Sequence, residues 1–325
     1  MTRLVPALKH YDWGDPTFIP SMLGLTPDGQ PVAEAWFGTH PSGEAHLADG
    51  RALSSVAGHL PFMVKFIAAA KPLSLQVHPS LDQAHEGFAR ENAAGIAVDD
   101  PRRNYRDDSD KPELIIALTP FHALCGFHDP ASTAGWFTAM GWHELATALT
   151  RHGIEGFIRA ALVDNAFDIP DNLPPWAANI IALHPGDPAI LVALLMHWVE
   201  LAPGECLALE AGVLHAYLSG NAVEVMNGSD NVIRAGFTTK HRDIDELLRI
   251  TDCSPVASPV RRAERGTYPS TGSYHVVSLE PNTAFTAVET TIAVGTDGTS
   301  ELLLTGESMH TGPAVVFAAT AGTLH

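Results

Sequence analysis

Gly204-Glu205-Cys206-Leu207-Ala208-Leu209-Glu210-Ala211-Gly212-Val213-Leu214-His215 is the run whose reading decides the fold. It reads as a short strand, a tight turn and a second strand, with His215 pointing back into a barrel. Upstream, Leu73-Ser74-Leu75-Gln76-Val77-His78 alternates apolar and polar residues. A period of two places Ser74, Gln76 and His78 on one face and Leu73, Leu75 and Val77 on the other. A polar face inside an apolar segment is either a site or a solvent face, and this strand alone does not choose between them. Phe62-Met63-Val64-Lys65-Phe66-Ile67 reads as a further strand. Lys65 is an odd charge within it, which favours a site role over a surface one.

Working outward, residues 1–80 are rich in turn pairs such as Asp28-Gly29 and Asp49-Gly50 between short apolar runs, a β pattern. Residues 80–90 carry Leu81, Ala84, His85 and Phe88 at helical spacing. Asp99 to Asp110 is a dense mixed-charge loop, read mostly as solvated surface, and Lys111-Pro112-Glu113 leads into the strand Leu114–Leu118. From about 131 to 200 the period moves toward 3.6. Short helices are expected at Ala131–Met140, His143–Arg151, Gly156–Leu162 and Pro175–Leu183. A longer one is expected at Ala189–Val199, with Asp187 as N-cap and Pro188 first in the helix. The β pattern returns after 203, and Asp243–Ile250 is a short helix with an acidic cap. The expected division is 1–130 as the first part of a β barrel, 131–200 as a helical insertion, 201–253 as the rest of the barrel, and 254–325 as a partial C-terminal β unit.

The chain has 325 residues, 46% hydrophobic and 17% charged, enough apolar material for a sizeable core. With 37 acidic and 19 basic residues its formal charge is −18. That balance argues against nucleic acid or an anionic membrane as a partner, but not against a small anionic substrate held by a few cations in one cleft. The three cysteines, Cys125, Cys206 and Cys253, suggest neither a disulfide framework nor a thiolate zinc site. No apolar run suits a signal peptide or a membrane span. A soluble, cytoplasmic, monomeric protein is expected.

The Gly204–His215 run resembles the second metal-binding motif of cupin barrels, with Glu210 where that motif usually has Pro. Gln76-Val77-His78 then stands in the place of the first His-x-His, and Glu113 follows after an insertion. One Gln, two His and one Glu make a nitrogen- and oxygen-rich set. Zinc accepts it, and iron or manganese is not excluded by ligand type. Further segments extend the resemblance: Tyr11-Asp12-Trp13-Gly14, Ala33 to Pro41, Leu60 to Lys65, Leu73 to Pro79, Asn104-Tyr105-Arg106-Asp107, and Lys111-Pro112-Glu113-Leu114. They continue through Gly212 to Gly220, Glu224, Ser229 to Gly236, and Lys240. In this order they resemble the type I phosphomannose isomerases.

That resemblance implies a mainly β fold, a cupin core with an inserted helical domain and a truncated C-terminal β unit. It implies Gln76, His78, Glu113 and His215 as ligands of one Zn2+ per chain, and Arg234 as an essential arginine. It places Ser74, Lys65, Lys111, Tyr217, Glu224 and Lys240 along the substrate cleft. The implied reaction interconverts mannose 6-phosphate and fructose 6-phosphate through an enediol. It needs an electrophile for the developing oxyanion, a base, and cations for the phosphate. Arg234, with Lys111, Lys65 and Ser74, suits the anionic charge. Glu224 and Lys240 both remain base candidates. Trp13 and Trp36 are read as core or cleft wall, and His40, His46, His122, His128, His184 and His197 as structural. Asp110 stands where the family has His. The chain stops at Ala321-Gly322-Thr323-Leu324-His325, where the family would continue through further strands. Two alternatives are a metal-dependent oxygenase cupin, against which Gln76 argues, and a non-catalytic sugar-binding cupin, against which the intact ligand set argues.

Overall fold

The computed structural model describes residues 2–322, so Thr323 to His325 lie outside the described residues. The Glu205–Leu209 segment is a strand, Gly212 turns with φ +80°, and the next strand opens at His215. A Cβ at Gly212 would lie 3.0 Å from the Ile250 carbonyl oxygen, so the turn needs glycine for both its conformation and its space.

The strand His215–Asn227 joins two β layers. Its first residues pair with Leu75–Val77 and Phe121–Phe127, and from Gly220 onward it pairs with Phe62–Ala69 and Glu113–Ala117. Gly220 marks the change, with φ +111° and a built Cβ only 2.5 Å from the Pro120 carbonyl oxygen. A strand that passes between layers at a bulge or bend is how a two-sheet barrel turns its corner. One layer runs Val260–Arg262, Glu205–Leu209, Glu113–Ala117, His215–Asn227, Phe62–Ala69, Glu34–Phe37 and Ala7–Lys9. The other gathers Leu75–Val77, Ile233–Gly236, Phe121–Phe127 and Met196–Leu201 around the first half of the shared strand. The fold is mainly β, with a cupin core.

Helices cover one end of this core. Pro130–Ala139, His143–Leu162, Pro175–Leu183 and Ala189–Ala193 bury Phe137, Leu149, Phe157 and Ile180 in one cluster with Leu75, Val77 and Leu124 of the barrel. His143–Leu162 is interrupted at Gly153 (φ 65°, ψ −172°), which separates the two shorter helices expected from the sequence. The expected long helix Ala189–Val199 is corrected: the helix ends at Ala193, and Met196–Leu201 is a strand paired with Phe121–Phe127. From His197 the side chains take up a period of two, with Val199 and Leu201 buried and Trp198 and Glu200 exposed, and pairing with the barrel outweighs the helical run before it. Pro188 occupies the cap position, while an Asp187 carboxylate oxygen accepts the Ala189 N–H at 3.0 Å. The Ile244–Ile250 helix has the expected acidic cap, with Asp243 accepting the Glu246 N–H at 3.0 Å.

A second sheet is ordered Tyr274–Leu279, Val316–Ala321, Thr291–Gly295, Ser300–Leu303, Thr2–Val5 and His46–Leu47. Two strands from the first fifty residues thus complete the sheet built by the C-terminal segment, and Val260–Arg262 returns to the barrel sheet beside Glu205–Leu209. The division drawn from composition follows the helices more closely than it follows these pairings.

Candidate metal centre and substrate cleft

His215 opens the shared strand directly opposite Gln76, and Arg234 lies opposite Gln76 on its other side. Glu113 belongs to the facing layer and pairs with Leu209 and Met226. The two layers therefore bring Gln76, His78, Glu113 and His215 together inside the barrel. His78 Nε2 lies 3.3 Å from Glu113 Oε1, His215 Nε2 lies 3.6 Å from Glu113 Oε2, and Gln76 Nε2 lies 3.5 Å from His215 Nε2. One ligand atom from each of His78, Glu113 and His215 falls within 4.8 Å of the others, and all three residues are buried.

Each imidazole is oriented by its other nitrogen. His78 Nδ1 donates to the Asn231 carbonyl at 2.8 Å and His215 Nδ1 donates to the Val213 carbonyl at 2.9 Å. Those bonds fix the tautomer that leaves both Nε2 lone pairs facing Glu113, the orientation metal-bound histidines use. Ser74 Oγ donates to Gln76 Oε1 at 2.9 Å and so holds the Gln76 side chain at the edge of the centre. Burial lowers the proton affinity of both imidazoles, His215 to about 4 with His78 as the next cause. Burial acts against Glu113 as well, but His78 and Lys111 hold its carboxyl well below the usual range. Two neutral imidazoles and one carboxylate are the charge set a divalent cation requires.

The donor set also passes a test of need. His78 Nε2 is fully buried and has no hydrogen-bond partner. A buried polar atom left unpaired costs about 1–3 kcal/mol, so an imidazole nitrogen aimed at a carboxylate and another imidazole calls for a ligand of its own. The residues present fit a dication.

Beside this centre opens a cleft of about 700 Å³. Its walls include Ser74, Gln76, Lys65, Lys111, Arg234 and Lys240, together with Trp13 and Trp36. Lys65 is set by strand register: it lies opposite Trp36 on one side and Glu224 on the other. Its Nζ donates to Glu224 Oε2 at 2.9 Å and sits 5.1 Å from the Trp36 ring centroid. Burial pulls the Lys65 ammonium down, but Glu224, Glu34 and Glu113 outweigh it and raise its proton affinity well above that of a free lysine. Lys111 Nζ lies 3.3 Å from Glu113 Oε1.

Two of the expected cleft residues stand behind the wall. Tyr217 and Glu224 are 3% exposed and do not line the cleft. Tyr217 Oη donates to Glu224 Oε1 at 2.9 Å and lies 3.1 Å from Glu113 Oε2. Burial raises the Glu224 carboxyl, with Lys65 acting the other way. Asp110, just before Lys111, accepts from Asn227 Nδ2 at 2.9 Å.

Sequence reasoning passed over four wall residues. Glu34 accepts from Trp36 Nε1 at 2.5 Å, and His40, read as structural, has its Nε2 3.6 Å from Asp230 Oδ2 across the cleft. His184 also lines the wall. Glu34 carried the signal that had singled out Lys65, a charge inside the apolar run Val32 to Phe37. His40 and Asp230 come from distant loops, and their only signal was their place in the runs Ala33 to Pro41 and Ser229 to Gly236.

Comparisons with known proteins point to one family. The family model for the phosphomannose isomerase type I catalytic domain matches residues 51–130. Mannose-6-phosphate isomerase of Escherichia coli K12 is 36% identical over 289 residues, covering 76% of this chain and 74% of that protein. The Emericella nidulans mannose-6-phosphate isomerase is 30% identical over 354 residues, covering 83% and 74%. A crystal structure of mannose 6-phosphate isomerase bound with zinc and yttrium superposes over 100% of both chains, with TM-score 0.82 and 28% identity. The Salmonella typhimurium enzyme bound to fructose 6-phosphate and zinc does so with TM-score 0.76 and 28% identity. Fold and metal-type centre thus define a cupin metalloenzyme. The chain belongs to the type I phosphomannose isomerases.

Proposed function

We propose that this chain interconverts mannose 6-phosphate and fructose 6-phosphate through an enediol, using one Zn2+ held by Gln76, His78, Glu113 and His215. The observation that carries the reading is the meeting of this donor set, with its orphaned His78 Nε2, and a cleft wall of Arg234, Lys240, Lys65 and Lys111. A bound Zn2+ would supply positive charge to the substrate oxygens on carbons 1 and 2 as negative charge develops there.

The chain's own residues divide the remaining work. Arg234 and Lys240 hold the phosphate, because among the described residues neither has an ion-pair partner and both face the cleft. Burial and then Arg234 depress the Lys240 ammonium, a strain that an arriving dianion relieves. Glu224, the other base candidate, reaches the cleft only through Lys65. Lys65 rests as the ammonium that Glu224, Glu34 and Glu113 hold. As the proton leaves carbon 2, Lys65 passes its own proton to Glu224 Oε2 and accepts the incoming one, and the reverse relay delivers a proton to carbon 1. Tyr217 fixes Glu224 relative to Glu113. Ser74 and Lys111 fix Gln76 and Glu113 at the edge of the cleft. All these groups come from one chain, so the site is complete in a monomer.

A coupled assay with mannose 6-phosphate tests the activity. Zinc-loaded protein is expected to turn over, chelated protein to lose the activity, and zinc to restore it; activity that survives complete metal removal rejects the metal role. Turnover in heavy water tests the enediol. Deuterium should enter at carbon 1 of fructose 6-phosphate, and fully retained protium would point to direct hydride transfer instead.

A further inference from the structure

The mixed-charge loop between Asp99 and Asp110 reads as solvated surface, yet two hydrogen bonds tie it to the cleft. Asn104 Nδ2 donates to Asp243 Oδ2 at 2.8 Å, three residues beyond Lys240. The Arg106 N–H donates to Asn231 Oδ1 at 2.7 Å, three residues before Arg234. Arg106 is therefore held between the segments that supply the two phosphate cations of the proposed site. Asn231 is fully buried and also donates to the Asp107 and Ser109 carbonyls, at 2.9 and 2.8 Å, so this edge of the loop is fixed rather than free.

The Arg106 side chain is exposed, and among the described residues it has no ion pair, although acidic residues flank it in sequence. Asp107 is turned the other way: its carboxylate accepts from Ser229 Oγ at 2.7 Å and from the Asp230 N–H at 2.8 Å. The field of Arg106 reaches the cleft, where it is among the causes that depress both Arg234 and Lys240, after burial in each case.

We propose that Arg106 is a third cation of the phosphate subsite, a rim residue that captures and retains the dianionic group without taking part in the proton transfer. This rests on the reading that Arg234 and Lys240 hold the phosphate. It also accounts for how a strongly acidic protein admits a dianion: a local positive field at the cleft mouth offsets the repulsion of the whole surface. Arginine suits the place because its planar fork engages phosphate oxygens in pairs.

The test uses zinc-loaded enzyme and four variants: Arg106→Gln, Arg106→Lys, Arg106→Glu and Arg234→Gln. The readouts are kcat and KM for mannose 6-phosphate, and Ki for inorganic phosphate, at low and high salt. Arg106→Gln should raise KM and Ki by about fivefold, leave kcat within about twofold, and weaken the salt dependence. Arg106→Lys should recover most of the loss, and Arg106→Glu should exceed it. Unchanged KM and Ki in Arg106→Gln, or a fall in kcat at constant Ki, overturns the proposal. If Arg234→Gln raises the phosphate Ki and Arg106→Gln does not, Arg106 alone is dismissed. If Arg234→Gln leaves that Ki unchanged, the anion reading of the cleft itself has failed.

Discussion

Two groups of cations lie at opposite ends of one loop and behave as opposites. On the helix side, Arg103 Nε is 3.1 Å from Glu91 Oε2, Arg90 is 3.0 Å from Glu246, and Arg249 is 2.6 Å from Glu246 and 3.1 Å from Glu86. Tyr105 Oη adds a hydrogen bond to Glu246. On the cleft side, Arg106, Arg234 and Lys240 have no carboxylate partner among the described residues. A cation whose charge is answered within the chain builds structure, whereas Arg234 and Lys240, unanswered and lining the cleft, are open to an anionic ligand. The first group joins the Leu81–Ala93 helix, the loop and the Ile244–Ile250 helix. Of the second, Arg234 and Lys240 line the space where the substrate is proposed to lie, with Arg106 proposed at its rim.

The same change made in both groups should separate them most sharply. Arg234→Gln is expected to lower kcat/KM by about 10²–10³-fold, the usual cost of losing a donor aimed at reacting or anchored charge. Its melting temperature should hold or rise, because the change removes a half-buried cation without a partner. Arg249→Gln is expected to do the reverse. Stability should fall by about 1–2 kcal/mol as Glu246 loses one of its cations, while turnover is unchanged. Steady-state kinetics and denaturant melts on both variants decide the matter. A stability loss in Arg234→Gln, or an activity loss in Arg249→Gln at full folding, would collapse the distinction.

The sequence showed one of these groups better than the other. Arg234 and the metal donors Gln76, His78, Glu113 and His215 were legible through the family resemblance carried by their runs, whereas strand periodicity by itself set only Ser74, Gln76 and His78 on one face. The Lys65–Glu224 pairing also follows from periodicity once the register is known, but the register is set by the bend at Gly220, which composition does not reveal. Arg106 and Arg103 sit three residues apart in one charged loop and look alike on paper. One turns inward to Glu91 and the other stays exposed, and the Asn231 and Asn104 hydrogen bonds set the loop that separates them. The strand Met196–Leu201 was hidden for a related reason: it follows directly on the continuous apolar run Ala189 to Met196, which has no period, so neighbours decide where helix gives way to strand.

Acid is the gentlest probe of the same contrast. Burial works to raise the Glu246 carboxyl, but bonds from Arg249, Tyr105 and Arg90 outweigh it and leave its proton affinity below that of a free glutamate. A carboxylate whose folded value is depressed adds stability that is present above its unfolded value and is lost as pH falls through the folded one. The folded protein should therefore lose this share of its stability on acidification below about pH 4.3, where an unfolded glutamate begins to bind protons. Glu246→Gln removes the titrating group, so the difference in melting temperature between wild type and variant should narrow as pH drops from neutrality toward 3. Arg234→Gln supplies the comparison, since a guanidinium stays charged throughout that range and its difference from wild type should not follow the same course. A constant gap for Glu246→Gln across the acid range would mean that its carboxylate contributes shape rather than charge to the helix side of the loop.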